Sequence, residues 1–132
     1  MWINDIGVAV YSRIKARGSP LKKKYPNIFF TDENETEETT AVFPTVFVDE
    51  LSGVEQGRDL DGSTVNSYLA TFQINISHNG KKSEVREIMG NCMETMKSMR
   101  FEIIGTTIYS KTNGVWGAVA RFRRTIGSSD TL

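Results

Sequence analysis

The one histidine, His78, and the one cysteine, Cys92, bound what this chain can do as a catalyst. Any serine–histidine–acid or cysteine–histidine constellation has to recruit His78 as its base. His78 stands beside Asn79-Gly80, a turn dipeptide, which predicts a solvated residue without a catalytic role. One Cys and one His fall short of the three or four ligands zinc usually takes. A hard cation has two acidic stretches to choose from. Asp32-Glu33-Asn34-Glu35-Thr36-Glu37-Glu38 packs five acids into seven residues, but lacks the alternating order and distal glutamate of a calcium loop. Asp59-Leu60-Asp61-Gly62 also has no acid at its far end. Both stretches read as solvated loops. Gly53 and Gly57 form neither a dinucleotide fingerprint nor a P-loop. The expectation is a non-enzyme with no catalytic residue, no cofactor and no metal.

Charge offers chemistry of another kind. Basic groups gather at Lys22, Lys23 and Lys24, and at Arg121, Arg123 and Arg124. On a strand Arg121 and Arg123 share one face, whereas Arg124 shares the other with Trp116 and Phe122. Cations interleaved with aromatics can follow a nucleic-acid strand. Arginines can equally guard a strand from edge pairing while Trp116 sits in the core, and that reading is preferred. Set against the acidic run, the candidate contacts between neighbouring subunits are Glu35, Glu37 and Glu38 on one side and Lys22–Lys24 with Arg121, Arg123 and Arg124 on the other. Each exposed pair is worth at most about 1 kcal/mol, so such charges orient subunits more than they bind them.

These residues need a scaffold, and 132 residues provide one domain of ordinary size. Apolar residues at 39% and charged residues at 24% are those of a globular protein with its own core. Sixteen basic residues balance sixteen acidic ones, whereas a dedicated nucleic-acid binder usually carries a basic excess. A lone cysteine forms no intrachain disulfide and suits a reducing cytoplasm. No apolar run approaches the roughly 18 residues of a membrane span. The start, Met1-Trp2-Ile3-Asn4-Asp5, lacks the basic and apolar regions of a signal peptide.

Periodicity sets the elements. Ile3, Ile6, Val10 and Ile14 recur on one helical face over 3–17, and Gly18-Ser19-Pro20 stops that helix before a basic linker, Lys22–Lys24. Ile28-Phe29-Phe30 is a short strand. A second strand over 41–51 carries apolar residues on both faces, which predicts cover on both sides, and Pro44 places its first residues at an edge or a bulge. Gly53, Gly57 and Gly62 among charges make 52–63 a mobile loop by composition. Tyr68, Ala70, Phe72, Ile74 and Ile76 alternate with largely polar neighbours, a strand over about 64–77.

The helix over 82–99 places Val85, Ile88, Met89, Cys92, Met93, Met96 and Met99 within an arc of roughly 140°. Methionines can line an adaptable groove, but here the stripe reads as core, with Ser83 as the cap. Two last strands, 101–110 and 115–125, flank Asn113-Gly114, a hairpin signal. A polar tail, 127–132, frays. The fold class is α+β: a mostly antiparallel sheet of about five strands, two helices on one face, in the order α-β-β-β-α-β-β.

This organisation resembles that of the small tail terminator proteins of long-tailed bacteriophages, also called tail-completion or neck proteins. The likeness is one of length and layout across most of the chain. It comprises the helix beginning almost at Met1, the Lys/Pro linker, the strand Phe43-Pro44-Thr45-Val46-Phe47-Val48 and a Gly-rich loop. The long strand Tyr68–Ser77, the helix Lys81–Met99 and a final strand pair ending in Ala120-Arg121-Phe122-Arg123 complete it. The resemblance implies a hexameric ring in the virion neck that caps the tail tube, stops its polymerisation and meets the head connector. DNA would pass through its channel without sequence-specific contact, and no membrane would be involved. It carries over no catalytic residue. Alternatives are another head–tail connector, a tail tube subunit, or a small nucleic-acid-binding regulator resting on Lys22–Lys24 and the last strand.

Overall fold

The computed structural model describes residues 4–32, 43–58, 65–127, 130 and 132. The first helix, α1 (Asn4–Arg17), buries Ile6, Val10 and Ile14 at helical spacing. The Gly18 N–H bonds to the Ile14 carbonyl (2.9 Å). Ser19–Lys23 then forms a short 3-10 helix with Pro20 in its first turn, so the expected linker is a helical turn. Tyr25 and Ile28 drop from it into the core.

Five strands follow the order β1 (Phe29–Thr31), β2 (Thr45–Arg58), β3 (Val65–His78), β4 (Glu102–Thr112) and β5 (Val115–Gly127), with α2 (Lys82–Ser98) between β3 and β4. In the sheet they lie β1-β2-β3-β5-β4. All pairs are antiparallel except β1 with β2, where Phe29 stands opposite Thr45. Even-numbered residues fill one face: Val46 and Val48, Ala70 to Ile76, and Ala118 to Ile126 are buried beneath the helices. The α+β class, the two-helix layer and the mostly antiparallel sheet are as the periodicity requires.

Three expectations change. Among the described residues the β2 strand is covered on one side: Val46 and Val48 are buried, while Thr45, Phe47 and Asp49 on the other face remain partly exposed. The glycine-bearing stretch 52–58 is the second half of β2, paired with β3 as far as Arg58 opposite Val65. Its ladder hydrogen bonds offset the entropy lost at Gly53 and Gly57, and the register shift between Leu51 and Val54 takes in Gly53 as a bulge. The remainder of that expected loop, 59–63, lies outside the described residues, as do 41 and 42 of the expected second strand and 64 of the third. The tail is tied down at two points: Asp130 accepts a hydrogen bond from the Gly127 N–H (2.8 Å), and Leu132 packs on the core.

The methionine stripe of α2 is core: Met89, Met96 and the following Met99 are fully buried. Ser83 does not cap this helix. The Glu84 side chain reaches back to the Lys81 N–H (2.8 Å), satisfying a donor at the positive end of the helix dipole. The Asn113-Gly114 hairpin forms as expected, with φ of 53° and 80°. A two-residue turn with both φ positive matches the twist of its strands, and only residues tolerant of that region suit it.

Candidate subunit interface

The predicted interface residues divide among three surroundings. Lys22 and Lys23 are exposed on the 3-10 helix, on the helical side of the molecule. Lys24 is already engaged within the subunit, its Nζ 2.6 Å from Glu87 Oε2 on α2. The Tyr25 hydroxyl donates to the same oxygen (3.2 Å). Lys24 first, then Tyr25, holds the Glu87 carboxyl below the usual carboxylate range. Glu35, Glu37 and Glu38 lie outside the described residues.

Arg121 and Arg123 are exposed side by side on the sheet face opposite the helices, where Arg121 Nε donates to Gln73 Oε1 (2.8 Å). Arg124 is a correction. It is only 8% exposed, and its Nη1 donates to the Met99 carbonyl at the end of α2 (2.9 Å). A cation there complements the negative end of the helix dipole. Arg124 is therefore a core residue and does not present itself to a neighbour. The structure brings Arg121 and Arg123 together but separates them from the lysines by the thickness of the domain.

His78 is the second correction. It is buried, at 7% exposure, because it continues the inward alternation of Ala70, Phe72, Ile74 and Ile76 to the last residue of β3. Its Nε2 lies 3.4 Å from Glu84 Oε1, and the Tyr25 ring meets it edge-on at 5.8 Å. Gly80 permits this closeness, since a Cβ there would collide with both the Glu84 carboxylate and the His78 ring. The Lys81 N–H, and after it His78, holds the Glu84 carboxyl below its ordinary range. The pair fastens the start of α2 to the end of β3. Cys92 is equally internal, and burial pushes its thiol up to about 12, far from the thiolate a nucleophile requires. Among the described residues no group of three or more acidic, histidine or cysteine side chains comes together to hold a metal. No helix among them is long and apolar enough to cross a membrane.

One cluster escapes a reading of the sequence. Lys82 Nζ lies 5.8 Å from the centre of the Tyr109 ring and 5.4 Å from that of Trp116. Arg86 stands over Tyr109 at 5.6 Å, and Lys111 over Trp116 at 5.8 Å. The i, i+4 spacing of Lys82 and Arg86, and the shared strand face of Tyr109 and Trp116, are both present in the sequence. Their meeting depends on α2 lying over β4 and β5.

Compared with protein families, the chain matches no family model, and compared with curated proteins it has no match.

Proposed function

We propose that this chain is a non-catalytic structural subunit of a long-tailed bacteriophage. Copies of it close into a ring, in the hexameric form its layout suggests, that caps the tail tube, ends tube polymerisation and joins the tail to the head connector. It is made in the host cytoplasm and resides in the neck of the virion.

The observation that carries this reading is the two-faced sheet. One face is sealed by α1 and α2. The other carries Phe47, Leu51, Leu69, Ile104 and Val119 half-exposed and Ile108 at 62% exposure, mixed with Arg121 and Arg123. Apolar side chains spread over a sheet face that no described element covers fit a surface that another protein covers. A cap must match tube subunits on one side and refuse further tube addition on the other, which calls for a subunit with two unlike faces. Such subunits arranged head-to-tail about a closed axis form a ring. The likeness in element order to tail terminators supports the same reading.

The decisive experiment counts tail lengths by electron microscopy in particles made without this protein. Tails of uncontrolled length that fail to join heads are expected, and adding the purified protein before the tubes overgrow should restore joining. Tails of normal length on filled heads would overturn the proposal.

A further inference from the structure

The early part of α2 sorts its charges. Its two acids are bonded within the subunit: Glu84 holds the Lys81 N–H and faces His78, and Glu87 holds Lys24 and Tyr25. Its cations are left over. Among the described residues no acidic side chain pairs with Lys82 or Arg86, or with Lys111 of β4 beside them. All three are exposed. Lys82 and Arg86 stand one turn apart, a like-charge spacing that weakens a helix unless something neutralises it.

Two rings fix where these charges stand. Tyr109 lies opposite the buried Ala118, and Lys111 lies opposite Trp116. Residues directly opposite share a face, so Tyr109, Lys111 and Trp116 are all on the helical side of the sheet, beside the Asn113-Gly114 turn. Lys82 reaches both rings, Arg86 shares Tyr109 with it, and Lys111 shares Trp116. Cations that share a ring, each about 6 Å from its centre, are at most about 12 Å apart. That is close to the screening length of about 10 Å at 0.1 M salt, so they repel one another. Attraction to the rings holds them in place, at points set by a paired hairpin and a packed helix. The product is a rigid array of three cations without an acid in it.

Such an array selects its ligand. A duplex strand presents phosphates regularly, one for about every 3.4 Å along its axis, so an array of this span meets several phosphates of one strand at once. An acidic peptide offers no such fixed spacing unless its own fold supplies it. Each ring already carries two cations, which makes both rings supports for charge and not platforms for stacked bases. Contacts of this kind go to the backbone and carry no sequence information.

We infer that Lys82, Arg86 and Lys111 form a site for the phosphate backbone of duplex DNA, bound without regard to sequence. The site lies on the face of the sheet opposite Arg121 and Arg123. It goes beyond the ring reading above and does not depend on it. The balanced charge of the whole chain lends the contact no long-range attraction, so binding is weak and salt-sensitive.

The test is fluorescence anisotropy of labelled DNA duplexes of two unrelated sequences with the full chain, across a salt series starting at low ionic strength. Wild type should bind both sequences alike, with affinity that falls as salt rises. Lys82→Gln with Arg86→Gln should lose about tenfold or more at low salt, and should reduce the slope of log affinity against log salt by about 2 for each copy in contact. Lys111→Gln, which leaves α2 untouched, should reduce that slope by about 1. Lys15→Gln with Arg17→Gln removes equal charge from the exposed end of α1 and should leave the slope unchanged. Circular dichroism checks that each variant is folded.

Wild type that binds neither duplex at low salt would overturn the inference, as would cluster variants with the wild-type slope. An equal loss in Lys15→Gln/Arg17→Gln would reduce the effect to net charge and overturn it too. Poly-glutamate is the competing probe. If it binds wild type but not Lys82→Gln/Arg86→Gln, while duplex DNA binds neither, the cluster belongs to an acidic protein partner. None of these outcomes touches the ring, which the tail lengths decide.

Discussion

Arg124 occupies the strand face that Arg121 and Arg123 avoid, and that single difference of parity separates a core residue from two surface ones. Its guanidinium bonds the Met99 carbonyl and lies 3.9 Å from Asp130, so truncation leaves a buried carbonyl short of a donor. Arg124→Ala should cost about 1–3 kcal/mol of stability, measured by urea denaturation, whereas Arg121→Ala should change stability by about 0.5 kcal/mol or less. An equal cost for both would contradict the cap. Strand alternation alone makes the inward placement of Arg124 legible in the sequence, although its charge argues for the surface. The same parity places His78 inside. The neighbouring Asn79-Gly80 turn argues the other way and misleads, because a turn dipeptide says where a strand ends but not which face its last residue takes.

Among the elements, α2 is the most completely encoded, since its apolar arc, its length and its acidic first turn all agree. Its fastening is harder to see. Glu84 holds the Lys81 N–H and faces His78, and Glu87 holds Lys24 and Tyr25, the latter a contact between segments far apart in sequence. Both carboxyls sit below their ordinary range. A carboxyl whose folded pKa is depressed stabilises the fold above its unfolded pKa, and that stabilisation disappears as pH falls through the folded value. Stability should therefore decline from near pH 5 downward, and Glu84→Gln with Glu87→Gln should flatten the decline while lowering stability at pH 7. Denaturation midpoints measured across that range check it, and an unchanged slope in the double variant would remove these contacts from the acid response. The far half of β2 is illegible in the sequence for a related reason. Gly53, Gly57 and the charges beside them carry no period of their own, and only pairing with β3 makes them a strand. The parallel β1, three residues long, offers no sequence signal for its direction.

At the scale of the whole molecule, the helices cover one side of the sheet, and no described element covers the other. Phe72 and Phe47 illustrate the contrast: both are strand phenylalanines, Phe72 fully buried beneath the helices and Phe47 half-exposed on the open face. Sequence pattern assigns apolar residues to both sides of β2 but does not say whether the second cover comes from this chain or from another. The fold answers half of that, since no described element packs over Phe47. If the open face is an assembly surface, stability and assembly should separate by face. Phe72→Ala should cost about 3–5 kcal/mol through the cavity it leaves. Phe47→Ser removes a side chain that is already partly in water, so the isolated subunit should lose less than it does with Phe72→Ala. In the assembled state Phe47 would be buried by a partner, and the same change should weaken tube capping or head joining out of proportion to its effect on folding. Urea denaturation of the purified subunit and joining assays with Phe47→Ser protein, run side by side, give the comparison. Full joining by a normally folded Phe47→Ser subunit would show that the partner does not sit on this part of the sheet.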